Sequence, residues 1–508
     1  MTRFRKSLRS VRPWLPCIAL IALAAQVIAA AAPDAPKQPA TDTQMTAAVE
    51  RALRLDSSVD SKMIEVKTMA GVVTLTCKAA NLISKERAPM IAEAVRGVRA
   101  VVNMIEVEPV RRSDDEIRND VEVALMMDPA TDLFEAKAIV VSGVVTLSGT
   151  VDSWPEKELS AAVAKSVKGV KEVKNEVQVV YKQERPDPEI EADVKAGLKW
   201  DVWVNDLLLN VAVKDGKVTL SGTVGSAAEK SRAFSDAFVA GVKEVDDSAV
   251  QVEPWLRERM KTPANVTDEE IESAVNDALL FDPRVNSFNP TVSVRGGIVT
   301  LSGTVDNPKA KRAAEQDAMN TIGVVTVVNA LDVRRDSPVP DERLVENVTA
   351  ALFRDPYVDR YKLRITARDG FVSLDGTVDS FYEKIHAEDV ALRVKGVTSI
   401  NNNLQVTSSS KSYYNWPYSR FFHEPYLYNR LPTYSSAVRD SDDQIKQNIE
   451  SELFWSPFVD ANQVKVSVQD GVATLAGTVN GWPEYEAAIE NAYEGGANRV
   501  IANLKRKE

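Results

Sequence analysis

The chain has 508 residues, 62 Lys and Arg against 73 Asp and Glu, and a formal net charge of −11. That acidic balance excludes non-specific nucleic-acid binding, which needs a basic surface, and limits electrostatic adhesion to anionic lipid to local patches. Two histidines (His386 and His423) and two cysteines (Cys17 and Cys77) cannot build a Cys/His zinc site. They leave any nucleophile–histidine arrangement with one of two isolated imidazoles.

The N-terminus sets the compartment. Arg3, Arg5, Lys6, Arg9 and Arg12 precede an uncharged apolar run, Leu15 to Ala32, that ends in four alanines. This is the layout of a secretory signal with an A-x-A cleavage site over residues 1–32. The run is also near the minimum that spans a bilayer, so an uncleaved N-terminal anchor is the competing reading. Either way the rest of the chain is expected outside the cytoplasm, in the periplasm. Cleavage would leave 57 basic against 73 acidic residues, a net charge of −16.

Beyond a spacer, one nine-residue pattern recurs. Gly143-Val-Val-Thr-Leu-Ser-Gly149-Thr-Val151 returns from Gly216 to Gly222, Gly297 to Gly303, Gly370 to Gly376 and Gly471 to Gly477. Gly71-Val-Val-Thr-Leu-Thr-Cys77-Lys-Ala79 is a degenerate first copy. Each copy reads as a turn glycine, a strand with alternating apolar positions, and a second glycine where the strand ends or another backbone comes close. Six copies predict six small modules, over residues 42–108, 113–181, 187–254, 267–335, 340–408 and 441–508, with an aromatic-rich linker at 409–440.

Within each module the order is the same. An amphipathic helix comes first, with apolar residues at i, i+4 and i+8, as in Ile117/Val121/Leu125 and Ile271/Val275/Leu279. Asp and Glu crowd its first turn (Asp114, Asp115 and Glu116; Asp268, Glu269 and Glu270), where the helix dipole favours them, and they read as solvated. Asp-Pro at 128, 282 and 355 stops the helix. A strand, the turn glycine and the signature strand then make a hairpin. A second helix opens on Ser153-x-x-Glu156, Ser226-x-x-Glu229 or Ser380-x-x-Glu383, which have capping-box spacing. It ends near Gly97-Val98, Gly169-Val170, Gly241-Val242, Gly323-Val324 or Gly396-Val397, before a last strand. The expected fold is α+β: tandem α-β-β-α-β modules, each a three-stranded mixed sheet covered by two helices. Cys77, standing where other copies have glycine, is expected to pack as a small buried residue.

The helix, the V-x-V-x-x-G strand, the G-x-V-T-L-S-G-T-V strand and the late Gly-Val pair together resemble the BON domain, over nearly the whole chain beyond residue 41. Copy 1 departs at Cys77 and Lys78, and copy 6 has Gly495-Gly496-Ala-Asn for Gly-Val. The resemblance implies non-catalytic, periplasmic or envelope-associated domains without cofactor or metal. It implies binding to phospholipid surfaces or other hydrophobic ligands, and a part in osmotic or envelope stress.

Three sets of residues are candidates for contact with a partner. The turn and strand glycines (Gly143, Gly149, Gly216, Gly222, Gly297, Gly303, Gly370, Gly376, Gly471, Gly477) read as structural, since a turn needs no ligand. Trp154, Phe381 and Trp482 begin second helices, where an aromatic either packs back as a staple or presents itself to a membrane interface or a pocket. The linker holds Tyr413, Tyr414, Trp416, Phe421 and Phe422 among further aromatics, and it either wraps over neighbouring modules or sits at lipid headgroups. The leading expectation is a non-enzymatic protein binding phospholipid or envelope surfaces. The alternative is a chaperone-like or scaffolding protein for exported or envelope proteins, with avidity from its tandem modules.

Overall fold

The computed structural model describes residues 40–506 apart from 57, 132–135, 255–265, 283, 286–289, 335–338, 359–362 and 408–440. Its helices pair off along the chain. Module 1 holds α1 (Asp42–Leu55) and α2 (Leu82–Glu93), and module 2 holds α3 (Asp114–Met127) and α4 (Trp154–Lys165). Module 3 holds α5 (Asp187–Trp200) and α6 (Ala227–Asp236), and module 4 holds α7 (Asp268–Phe281) and α8 (Pro308–Met319). Module 5 holds α9 (Asp341–Arg354) and α10 (Phe381–Leu392), and module 6 holds α11 (Asp442–Trp455) and α12 (Trp482–Glu494).

Each module carries the mixed three-stranded sheet that the sequence predicts. In module 3 the signature strand Lys217–Val224 lies between Leu209–Lys214, antiparallel to it, and Glu244–Val252, parallel to it. The same order and directions hold in modules 1, 2, 4, 5 and 6. Alternation then decides burial. Val73/Leu75, Val145/Leu147, Val218/Leu220, Val299/Leu301, Val372/Leu374 and Ala473/Leu475 are fully enclosed beneath the two helices. Each such Leu contributes about 1.5–3 kcal/mol by leaving water. The opposite face is open: Glu65, Lys67 and Val102 in module 1, and Lys137, Ile139 and Lys174 in module 2, are exposed.

The modules touch through their helices, and the contacts repeat. In modules 1 to 3 the residue 22 positions after the turn glycine (Glu93, Lys165, Phe238) meets a residue 11 or 15 positions after that glycine in another module. Lys165 binds Glu86 of module 1 at 2.7 Å. Ser231 of module 3 donates to Glu93 at 2.9 Å. Trp154 of module 2 stacks edge-on against Phe238 with ring centres 4.8 Å apart. The three contacts close a cycle, 1 to 2 to 3 and back to 1.

A second kind of contact pairs modules across the chain. The amide just before the late glycine of one module donates to the last carbonyl of another module's first helix. These are Lys168 to Arg354 (2.7 Å), Lys395 to Met127 (3.1 Å), Ile322 to Trp200 (2.9 Å) and Arg96 to Trp455 (2.9 Å). Module 2 thus pairs with 5, 3 with 4, and 1 with 6. Each bond satisfies a carbonyl that a helix end leaves without an intrahelical partner. Cores are shared as well: Ala94 and Ala228 are buried in the apolar core of module 6, and Ala227 in that of module 1.

Candidate functional site

The repeated glycines prove to be backbone devices. The turn glycines 143, 216, 297, 370 and 471 have φ between 73° and 83°, and the second glycines 149, 222, 303, 376 and 477 have φ between 120° and 141°. The residue before each turn glycine is also left-handed, as at Ser142 and Asp470, which gives the two-residue turn whose twist suits a hairpin. At Gly222 a side chain would overlap the Leu208 carbonyl oxygen, and at Gly477 that of Gln463. Cys77, in the place of a second glycine, also has a positive φ, 78°, without being glycine. It is exposed, not buried as the sequence suggests, because a left-handed φ turns its side chain out of the strand's alternation.

The acidic first turns correct a second expectation. The first residue of all six first helices reaches across to its own hairpin. Asp42, Asp114, Asp187, Asp268 and Asp442 each accept the two turn amides 28 and 29 residues later, at 2.7–3.0 Å. Asp341 accepts that of Asp369 at 2.8 Å. The amides of Gly297 and Gly296 hold the Asp268 carboxyl below its ordinary range. These are structural clamps, and the signal was present in the sequence as an Asp at constant spacing before each turn glycine.

At the second helices the expected capping boxes are half formed. Ser153, Ser226 and Ser380 do cap by accepting the third amide. The glutamate, however, binds the amide preceding the cap: Glu156 takes Asp152, Glu229 takes Gly225 and Glu383 takes Asp379, at 2.7–2.8 Å. Glu229 and Glu484 spend their other oxygen on the amides of Asn205 and Asp460, in the loop before the first strand. Reciprocal boxes occur instead on first helices, at Thr41/Gln44, Ser113/Glu116 and Thr267/Glu270.

Trp154 begins α4 half-buried, against Phe238 of module 3 and with the Lys157 ammonium 4.5 Å from its ring centre. Phe381 and Trp482 begin α10 and α12; their side chains, and Tyr413, Tyr414, Trp416, Phe421 and Phe422, lie outside the described residues. So does His423.

His386 on α10 is buried. Its Nε2 lies 2.7 Å from Asp355 Oδ2, and the ring stacks on Tyr382 and meets Tyr357 edge-on. Tyr357 donates in turn to the Ser58 carbonyl of module 1 at 2.8 Å. Arg87 with Asp56 and Arg232 with Asp201 repeat the same 31-residue spacing in modules 1 and 3. A buried imidazole that shares this place with two arginines fits a structural partner for the aspartate that ends the first helix.

A larger charged cluster lies where modules 2, 4 and 5 converge. Lys309 is 3.6 Å from Asp389, which also binds Arg393 at 2.8 Å. Burial pushes Lys309 down to about 7 against the pull of Asp389, and burial raises Asp128 nearby. A cavity of about 40 Å³ between modules 2 and 5 is lined by Asp128, Ser166, Arg354, Asp355 and Arg393. It has room for a few waters, far less than a small-molecule site needs. No helix among the described residues is long and apolar enough to cross a membrane.

The fold and its contacts define a tandem array of α-β-β-α-β domains, each built on a glycine-framed hairpin and clamped by its leading aspartate. The BON domain family matches residues 41–109, 113–181, 186–254, 267–335, 340–408 and 441–508, and the chain belongs to that family. Osmotically-inducible protein Y of Escherichia coli (strain K12) is 32% identical over 144 residues, covering 27% of this chain and 72% of that protein. Two solved structures of CdsD, a structural protein of the type III secretion system of Chlamydia trachomatis, also align. One covers 44% of this chain and 98% of its own at 14% identity, the other 42% and 100% at 13%. Their TM-scores of 0.12 are too low to support any comparison.

Proposed function

We propose that this chain is a non-catalytic protein of the bacterial periplasm that binds phospholipid or other envelope surfaces through its BON modules under osmotic stress. The observation that carries this reading is the family membership of all six modules, with a relative named for osmotic induction. The open sheet faces support it, because they give each module a surface that its own helices do not cover. Surfaces that are weak singly gain avidity when six are carried on one chain.

The test is co-sedimentation of the chain from residue 33 with liposomes of graded composition, from neutral to strongly anionic. Binding to at least one composition is expected. If no composition brings the protein down, the lipid reading fails. Suppression of aggregation of an unfolded outer-membrane protein in the same preparation would then favour the scaffold or chaperone reading.

A further inference from the structure

The six open sheet faces differ in charge. In modules 1 to 4 every Lys or Arg of the face has an acidic counterpart on it. Lys67 and Lys78 stand with Glu65 and Glu106, and Lys137 and Lys174 with Glu172 and Glu176. Lys214 and Lys217 stand with Glu244 and Asp246, and Arg295 with Asp332. Two of these sets close an ion pair, Lys67 with Glu65 at 2.9 Å and Lys217 with Glu244 at 2.8 Å. In module 5, Arg364 and Arg368 share the face with a single carboxylate, Asp375.

Module 6 breaks the balance. The open face of its strands Val464–Gln469, Val472–Val479 and Arg499–Arg506 carries Lys465, Arg499 and Lys505 and no acidic residue. All three are exposed, and none has an ion pair among the described residues. Asp470 stands off the face, in the turn at one end, where the turn amides hold the Asp442 carboxylate. Between the cations lie the short side chains of Ser467, Thr474 and Ala476, and Ile501, which is 39% exposed.

We propose that the open sheet face of module 6 is where the chain docks on anionic phospholipid, an inference that rests on the lipid-binding reading above and assigns it to one module. The spacing of the cations selects a surface over a single ion. Arg499 and Lys505 lie on one strand, about 20 Å apart by the rise of an extended chain. Lys465 and Lys505 lie on the two outer strands, about 10 Å apart across the sheet. One phosphate cannot touch all three, whereas a bilayer offers many. The short side chains let the headgroups come close, and Ile501 adds an apolar contact at their boundary. Each basic side chain near an anionic leaflet strengthens binding about fivefold, so three together give about a hundredfold. The chain as a whole is acidic, at −11, so repulsion turns its other surfaces away and leaves this face toward the membrane.

The experiment compares binding of the chain from residue 33, with all six modules, to vesicles of phosphatidylcholine alone and of phosphatidylcholine mixed with phosphatidylglycerol. The wild type should prefer the anionic vesicles by about a hundredfold at low salt. Lys465→Gln, Arg499→Gln and Lys505→Gln together should abolish that preference. Lys137→Gln, Lys174→Gln and Arg364→Gln together remove as much charge from the open faces of modules 2 and 5 and should keep it. All six side chains are exposed, so both variants should unfold at the wild-type temperature. Anionic preference that survives the module 6 substitutions, or that falls equally in both variants, would overturn the proposal. Wild-type binding that ignores headgroup charge would overturn it too, while leaving the lipid reading in place. Wild type that binds no vesicle of any composition would bring down the lipid reading and this inference with it.

Discussion

Between α2 and α6, modules 1 and 3 meet through a carboxyl and a hydroxyl, beside an Arg99–Glu253 ion pair at 3.8 Å, whereas α8 and α10 of modules 4 and 5 meet through charges of both signs. Arg312 on α8 binds Glu388 on α10 at 2.8 Å, and Lys309 lies 3.6 Å from Asp389. The same helices of the same fold do the joining in both places. One helix contact therefore rests on a single hydrogen bond, and the other on a cluster of charged side chains. The difference shows that the family pattern fixes the module and leaves the joints free to vary.

The largest effect should come from Asp389→Ala. Asp389 is 1% exposed and serves both Lys309 and Arg393. Removing it takes the carboxylate from the largely buried Arg393 guanidinium, a change that costs about 3–5 kcal/mol. Local opening of α8 and α10, followed by hydrogen exchange, should rise accordingly. A loss under about 1 kcal/mol would mean that water already reaches this cluster, and the contrast between the two joints would collapse.

Next is the pH response of the same joint. Burial lowers Lys309 from the ordinary lysine range to about 7, so its closed state favours the neutral amine. That stabilisation is present above the open-state value and is lost as pH falls toward and through 7. Opening of α8 and α10 should increase on the order of tenfold or more from pH 9 to pH 7. Lys309→Met keeps the stem's bulk and should flatten the profile. An unchanged profile in that variant would show that Lys309 does not carry the response.

The sequence made the module legible and the joints illegible, for a physical reason. Turn, strand and helix each follow from a local period or a positive φ, so the hairpin around Gly471 and Gly477 could be read from a few residues. The leading aspartates were legible in principle, since their spacing to the turn glycine is constant, but dipole and solvation explained them too readily. Cys77 was misread because alternation in a strand does not hold through a left-handed residue. The joints depend on which side chains meet across some 80 to 360 residues, as Arg312 meets Glu388 and Arg96 meets Val459. No local period carries that information. The aromatic starts of the second helices show the limit well: Trp154 proved to be half of a joint, and its aromatic character alone could not distinguish a partner's pocket from a neighbouring module.

The smallest effect should come from Arg312→Ala, and it tests whether the rim or the buried cluster holds modules 4 and 5. The side chains of Arg312 and Glu388 remain 27% and 23% exposed, so solvent screens their attraction and ordering both side chains costs entropy. Glu388 also accepts from Asn402 at 3.2 Å, so it keeps a hydrogen bond when the arginine is gone. The loss should stay below about 1 kcal/mol and shrink further in high salt, whereas the Asp389→Ala loss should hardly respond to salt. If Arg312→Ala cost as much as Asp389→Ala, the joint would be secured at its edge, and burial would no longer explain why the two seams differ.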